Sequence, residues 1–363
     1  MDLPKRLVLA LAAPVLAFVV SGIVATVVLM ISGDDVASFW STLTSWPEKR
    51  NLVNIVNYAG ILYLSGVAAA IGFRMNLFNI GVEGQYRIAG LAAGWVAGAA
   101  WLPGYANTAL AIVAAMVVGA LWAGIAGWLR VSRGVSEVIS TIMLNAIAGA
   151  MIGYLINKVG VRTGVDLHTE NIPQESWVGT IPLLGADGGV YGLTALAVLV
   201  GVVYWLLLSR TRFGFELRAT GMSETAAVAS GVNVKRMIVY TMLMSGAVAG
   251  LISLPAMFGS VHNYGQSTQA GLGFAGIAVA LLGRNNPAGI AAGALVFAFL
   301  REKGNLLNIL AGISPEIVAV TQGVIVLAVV IAYELVRRYR VRSEQAAVAE
   351  KVDVHTEVEG ARA

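Results

Sequence analysis

The residues of this sequence that could do chemistry are concentrated in one short stretch, residues 73–87, which reads FRMNLFNIGVEGQYR. It carries one carboxylate and several amides between two arginines, and apolar stretches lie on both sides. A charge at membrane depth is costly, so it persists where it is paired or where it faces water. The stretch therefore predicts either a polar lining or a set of internal hydrogen bonds, and its polar members are Arg74, Asn76, Asn79, Glu83, Gln85 and Arg87.

Glu83 is the carboxylate of this stretch, and it allows two interpretations. Asn79 and Gly81 predict a break before a new helix, which places Glu83 in the first turn of that helix, where the dipole favours a carboxylate. On the structural interpretation, Glu83 caps this helix and pairs with Arg87 at i+4. On the functional interpretation, the break lines a path or gate, because non-helical backbone at membrane depth is tolerated where it lines a cavity. Asn79, Glu83 and Gln85 would then offer hydrogen bonds to a solute.

Further polar and aromatic side chains lie inside predicted apolar spans. Amides and a phenol at such positions either form hydrogen bonds between helices or contact a passing solute, and the sequence leaves both open. Two phenylalanines could stack on a flat solute, although aromatic residues in apolar spans also serve in packing. The candidates for the path or gate are Asn57, Phe78, Asn79, Glu83, Gln85, Asn145 and Phe274, with Asn54 and Tyr58 as further polar positions.

Composition indicates which elements must position these side chains. Of the 363 residues, 58% are hydrophobic and 12% are charged, and the mean hydropathy is +0.77. Soluble domains carry about 25% charged residues, so the chain is typical of multi-pass membrane proteins. It has no cysteine, no phosphate-binding loop and no zinc-peptidase motif. We therefore predict a protein that is not an enzyme and has no metal or cofactor of its own, so that any ATP is used by another subunit.

Apolar stretches recur along the chain at lengths suited to membrane spans. A hydrocarbon core of about 30 Å needs about 20 apolar residues per helix. The first stretch is too long for a signal peptide, so we expect it to be retained. The eighth and ninth are short, and we expect half-helices or tilted spans that meet near residues 284–287. The predicted fold class is all-α, a polytopic transmembrane bundle with broken or short helices and about ten spans, at roughly residues 7–31, 52–72, 83–101, 107–129, 137–157, 190–209, 237–256, 271–283, 287–300 and 316–336.

The basic residues predict the orientation of this bundle. With both termini in the cytoplasm, most of the 24 lysines and arginines lie on the cytoplasmic side, as the positive-inside rule requires. Residues 158–189 then form an external loop, which is either a cap or docking surface or an ordinary solvated loop. Residues 210–236 form a cytoplasmic loop. We predict one transmembrane domain over residues 1–340, followed by a charged, disordered cytoplasmic tail at 341–363.

The cytoplasmic loop contains a predicted short helix. Ser223 is a favourable N-cap, Glu224 lies in the first turn, and Gly231 ends the helix. This helix is too short to span a membrane, and basic residues flank it. It could dock into a groove of a partner or lie on the lipid surface, and composition does not separate the two.

Three motifs, in this order along the chain, resemble a known family. They are NLFNIGVEGQYRIAG at 76–90, RATGMSETAAVASGVNVKR at 218–236 and GLGFAGIAVALLGRNNPAGI at 271–290. Together they are similar to the permease subunits of binding-protein-dependent ABC importers, in the branch that includes ribose, branched-chain amino acid and nucleoside permeases. The resemblance covers about residues 50–335. The form FNIGVEGQ, the layout of the first span and the extended 158–189 loop are most similar to the nucleoside permeases.

The resemblance implies a machine with several partners in the cytoplasmic membrane. A second permease chain, related but different, would work with cytoplasmic ABC ATPase subunits that use the ATP and with an external solute-binding protein, without nucleic acid. The expected cargo is a nucleoside. The alternatives are the same machine importing a simple sugar such as ribose, or an ion-coupled secondary transporter with Glu83 as its proton site. The resemblance also implies that ATPase coupling rests on Arg218, Gly221, Glu224, Ala227 and Gly231.

Overall fold

The part of the chain that the structure describes is mostly helical. The computed structural model describes residues 19–183, 185, 188–265, 270–314, 316–328, 331–332 and 338, so the predicted tail at 341–363 and the start of the first predicted span lie outside it. The helices are α1 (Val19–Ser32), α2 (Val36–Thr44), α3 (Lys49–Phe73), α4 (Val82–Gly98), α5 (Gly104–Arg133), α6 (Glu137–Val159), α7 (Thr194–Arg210), α8 (Arg212–Met222), α9 (Glu224–Ala229), α10 (Val234–Gly250), α11 (Leu254–Ala256), α12 (Leu272–Leu282), α13 (Pro287–Ala311) and α14 (Glu316–Ala328). Four short strands are β1 (Val161–Thr163), β2 (Asp166–His168), β3 (Thr180–Pro182) and β4 (Gly189–Tyr191).

Helix length and apolarity support a helical membrane protein. Each predicted span overlaps one of these helices. Among the residues that the structure describes, four helical stretches are long and apolar enough to cross a membrane, namely α3, α5, α6 and Val234–Val261, which includes α10 and α11. A fifth is present if α7 and α8, which are bent by 74° relative to each other, count as one span. The shorter apolar helices are α1, α12 and α14. The predicted helical class is confirmed, and the number of crossings stays a prediction.

The eighth predicted span corresponds to α12, which has only 11 residues and is short as expected. The helix at the ninth predicted span, α13, is longer than that span. α13 continues to residue 311 and has 25 residues. Arg301 and Glu302 lie just beyond the predicted end at residue 300, and both have partners on α3. Arg301 donates to the Tyr58 hydroxyl and lies 4.2 Å from the centroid of its ring. Asn54 Nδ2 donates to Glu302 Oε1 at 2.9 Å. Because both charges are satisfied, the helix need not end there.

The chain divides into two compact units, Ser45–Glu302 and a smaller one of Met1–Thr44 with Lys303–Ala363. In the smaller unit, Trp40 Nε1 donates to Thr26 Oγ1 at 3.1 Å, and Phe39 is buried beside it. The single domain expected over residues 1–340 stays a prediction.

Close backbone contacts between small residues hold the helices of the larger unit together. α5 and α10 meet at Gly119 and Gly246, where a Cβ on Gly119 would lie 2.3 Å from the Gly246 carbonyl oxygen. α12 approaches α3 at Gly276, where a Cβ would lie 1.9 Å from Ser65 Oγ. Any larger side chain would force these helices apart. Such contacts are how membrane helices pack, because lipid gives no hydrophobic force between them.

The described residues of the predicted external loop, called the cap below, form secondary structure. β1 pairs with β2 and β3 with β4 in two antiparallel hairpins, which the sequence analysis did not predict. Thr169 N donates to Tyr264 O and Ile172 N to His262 O, each at 2.8 Å. The rings of Trp177 and His262 stack with their centroids 3.6 Å apart. These contacts tie the loop to the segment after α11, which favours a cap over an ordinary solvated loop.

Candidate functional site

The break predicted before the third span, which is α4 in the structure, is present. Residues 74–81, called the break below, run without regular helix between α3 and α4. The chain turns there because Leu77 N donates to Gly72 O at 3.0 Å while Asn76 adopts a φ of 59°, a pattern that ends many helices. Glu83 falls in the first turn of α4, as the sequence predicts.

Glu83 caps the N-terminus of a different helix from its own. Its Oε2 accepts a hydrogen bond from Gly273 N at 3.0 Å, and its Oε1 accepts from Gly271 N at 2.8 Å and from the Tyr86 hydroxyl at 3.2 Å. The side chain is buried, and α12 has no cap from its own N-cap residue. The expected ion pair of Glu83 with Arg87 is wrong, since the ion pairs of the described residues lie elsewhere. The carboxylate is satisfied by backbone N–H groups at a positive helix end.

Asn79 and Gln85 form a closed pair of amides in the interior. Asn79 Nδ2 donates to Gln85 Oε1 at 3.0 Å, and Gln85 Nε2 donates back to Asn79 Oδ1 at 2.9 Å. Asn79 also accepts from Gly81 N at 3.0 Å and donates to Ser245 Oγ at 2.8 Å, which ties the break to α10. Both amides are buried. Their hydrogen bonds go to other groups of this chain, which fixes the shape of the break.

Asn145 and Asn57 also bind backbone groups of this chain. Asn145, on α6, accepts from Gly84 N at 2.8 Å and donates to Ile80 O at 3.0 Å. Asn57, on α3, donates to Gly189 O at 3.2 Å and accepts from the backbone N–H of another residue of β4 at 2.8 Å. Asn145 therefore belongs with the break, whereas Asn57 holds the second hairpin of the cap.

Two phenylalanines near these buried amides are exposed. Phe78 lies in the break, is 46% exposed and has its ring centroid 5.2 Å from that of Phe73. Phe274 lies in the first turn of α12, next to the Gly273 N–H that Glu83 binds, and is 52% exposed. Of the seven candidates for the path or gate, these two are exposed, whereas the other five are buried or half-buried.

The short helix predicted between residues 210 and 236 has the predicted cap. Ser223 Oγ accepts from Ala226 N at 3.2 Å and begins α9, and Gly231, with a φ of 81°, follows its end. The sequence analysis missed α8, which precedes α9. A capping signal was available, because Thr211 Oγ1 accepts from Gly214 N at 3.0 Å at the start of α8.

α8 contacts the break directly through Gly221. A Cβ at Gly221 would lie 2.3 Å from the Arg74 carbonyl oxygen, so backbone meets backbone there. Arg218 donates to the Leu208 carbonyl at the end of α7. The Arg74 guanidinium donates twice to Asn285 O, at 3.0 and 2.8 Å. The predicted coupling segment thus contacts the break, and the break contacts the turn between α12 and α13.

Three charged side chains that the sequence analysis did not group together meet beside this contact. Arg130, in the last turn of α5, forms an ion pair with Glu137, in the first turn of α6. Arg130 Nη2 also lies 3.7 Å from Glu224 Oε1 on α9. Glu137 is buried and its Oε1 accepts from Phe78 N, in the break, at 3.3 Å. The sequence did contain a signal: α5 ends with basic residues and Gly134, and the acidic Glu137 follows at the start of α6.

An apolar groove of about 470 Å³ lies between α3, α7 and α13. Its polar side-chain groups are those of Tyr63, Thr194 and Trp205, and the rest of the lining is alanine, glycine, valine, leucine and proline. A site for a hydroxyl-rich solute needs several convergent polar groups. The groove does not provide them.

Comparison with known proteins places this architecture in a family. Residues 51–331 match the family described as branched-chain amino acid transport system / permease component. The chain is 32% identical over 334 residues to the guanosine ABC transporter permease protein NupP of Bacillus subtilis, covering 89% of this chain and 93% of that protein. It is 32% identical over 342 residues to the glucose ABC transporter permease of Haloferax volcanii, covering 90% and 88%. It is 30% identical over 309 residues to the nucleoside ABC transporter permease protein NupB of Lactococcus lactis, covering 79% and 80%. The predicted resemblance is confirmed, and the chain belongs to this family as the multi-pass permease component of an ABC transporter.

Proposed function

We propose that this permease imports a nucleoside across the cytoplasmic membrane, driven by ATP that a partner ATPase hydrolyses. The observation that carries the cargo is the 32% identity, over 89% of the chain, to a permease named for guanosine. A second relative named for nucleosides, at 30% identity, supports the same class of solute.

A simple sugar carried by the same machine is the second candidate. The glucose permease of Haloferax volcanii is also 32% identical, and the ribose import permease of Escherichia coli is 27% identical over 78% of this chain. A nucleoside contains a ribose, so both cargoes are neutral and rich in hydroxyl groups. An ion-coupled transporter is disfavoured, because Glu83, its proposed proton site, already accepts two backbone N–H groups.

The partners in this proposal attach on opposite sides of the membrane. The ATPase docks on residues 210–236 in the cytoplasm, and a solute-binding protein delivers cargo near the cap at 158–189. A second, related permease chain completes the path. Both termini are cytoplasmic and about ten spans cross the membrane, in keeping with the excess of basic residues assigned to that side.

In the break and beside it, the proposed roles divide by exposure. Phe78 and Phe274, which are exposed, face the solute path and offer flat apolar surfaces. The buried residues Asn79, Glu83 and Gln85, with Asn145, position the break and do not touch solute. A mostly apolar path releases its cargo readily, whereas a tightly binding one would hold it.

Uptake by the whole complex tests the function. The permease is purified with its partner subunits, reconstituted in vesicles and supplied with binding protein, with or without ATP. We expect labelled nucleoside to accumulate when ATP is present. Uptake of ribose or glucose alone would keep the machine and replace the cargo. Uptake that ignores ATP and follows an ion gradient would refute the machine.

A further inference from the structure

Glu137 is a buried carboxylate that depends on an ion-pair partner. It is 5% exposed, and its ion-pair partner is the Arg130 guanidinium. A buried charge whose partner is removed is strongly destabilising, so Glu137 depends on Arg130. Through Oε1, Glu137 also accepts the N–H of Phe78 at 3.3 Å, which fixes the backbone of the break.

The same guanidinium reaches the segment assigned to ATPase docking. Arg130 Nη2 lies 3.7 Å from Glu224 Oε1, and Glu224 is half exposed on α9. A guanidinium presents five N–H donors in a planar fork, so one arginine can serve two carboxylates at once. Arg130 therefore lies between an exposed carboxylate on α9 and a buried carboxylate that holds the break.

We propose that Arg130 is a positioning residue that transmits movement of α9 to the break, a role that rests on the proposed ATP-driven function. When the ATPase displaces α9, Glu224 changes its distance to Arg130. The guanidinium is then shared differently between Glu224 and Glu137. This alters how firmly Glu137 holds the Phe78 N–H, and so alters the break that the solute passes. The link acts beside the backbone contact of Gly221 and is independent of it.

A purely structural role makes a different prediction. Arg130 lies at the C-terminus of α5 and Glu137 at the N-terminus of α6, where helix dipoles favour each charge. If the pair only closed the turn between these helices, its removal would change stability and Glu224 would be irrelevant. The two roles are separated by whether Glu224 and Arg130 act together on coupling.

The test measures solute taken up per ATP hydrolysed by the reconstituted complex, using the solute that the wild type transports. Arg130→Met is combined with Glu137→Gln, so that no buried charge is left unpaired and an oxygen remains for the Phe78 N–H. Glu224→Gln is made alone and in that double variant. Arg130→Lys keeps the charge beside Glu137 but loses the fork. Arg133→Met is the matched control, because Arg133 lies in the same last turn and is exposed.

We expect Glu224→Gln to lower uptake per ATP by about two- to five-fold, the range that a partly exposed ion pair supports. We expect no further loss from Glu224→Gln when Arg130 is already methionine, because residues of one network are not additive. Arg130→Lys should fall between wild type and the double variant, and Arg133→Met should match wild type.

Two results would overturn the role of Arg130. One is an effect of Glu224→Gln that is as large without Arg130 as with it. The other is normal uptake per ATP in the double variant, with only its thermal stability changed. Each requires an active wild-type complex. A wild-type complex without ATP-dependent uptake would instead refute the proposed function, and the role of Arg130 with it.

Discussion

Replacing Glu83 should weaken the joint between α4 and α12 without changing solute recognition. The carboxylate accepts the N–H groups of Gly271 and Gly273, which begin α12. Glu83→Gln keeps one oxygen but turns an NH₂ group toward one of these donors. Glu83→Ala removes both acceptors and leaves the two N–H groups without them.

The expected cost follows from these contacts. A buried donor left unpaired costs about 1–3 kcal/mol. Loss of the negative charge at a partly buried helix N-terminus costs up to about 2 kcal/mol. We therefore expect Glu83→Gln to destabilise the permease by about 2–4 kcal/mol and Glu83→Ala by about 3–6 kcal/mol.

Thermal unfolding in detergent and reconstituted uptake measure the two parts of this prediction. Both variants should unfold at lower temperature, alanine lowest, while the KM for solute stays at the wild-type value. Glu175→Gln is the control, because Glu175 is an exposed carboxylate of the cap. An unchanged unfolding temperature together with a raised KM would refute the reasoning, since it would mean that Glu83 binds solute and does not brace α12.

Three further predictions concern the contact of α8 with the break, the orientation in the membrane and the pH dependence of stability. Gly221→Ala should cut uptake per ATP at least about five-fold while ATP hydrolysis continues. Its Cβ would lie 2.3 Å from Arg74 O and push α8 away from the break, which costs about 1 kcal/mol or more. The control is Met222→Ala, at a neighbouring exposed residue, which should behave as wild type. Since the chain has no cysteine, single cysteines can report which side of the membrane they face. Val165→Cys in the cap should react with an impermeant thiol reagent added to intact cells, and Met222→Cys only after permeabilisation. The reverse pattern would show that the orientation is opposite to the predicted one. Burial lowers the pKa of His262, so below about pH 6.5 the unfolded state binds more protons than the folded state, and stability should fall as the pH drops. Thermal unfolding measured from pH 8 to pH 5 tests this, and His262→Asn should abolish that loss.

The positions of the helices and of the break were predictable because their signals are local. Apolar length, glycine and asparagine at Asn79–Gly81, and the N-cap serine at Ser223 act on residues near them in sequence. The family resemblance depends on the same kind of information, since its motifs are contiguous. The length of α13 was not predictable in this way, because the partners of Arg301 and Glu302 on α3 are distant in sequence.

The sequence by itself determined that this is a helical membrane permease, where most of its apolar helices lie, and which stretch is polar. The tertiary structure decided what each polar group does. Glu83 was a candidate gate, a cap of its own helix or a partner of Arg87, and it caps a helix whose first residues lie 188 and 190 positions later in the chain. Arg130 was one of many basic residues until folding placed it between Glu137 and Glu224. A buried polar group must find a partner, but which partner depends on how distant helices pack, and neighbouring residues along the chain do not specify that.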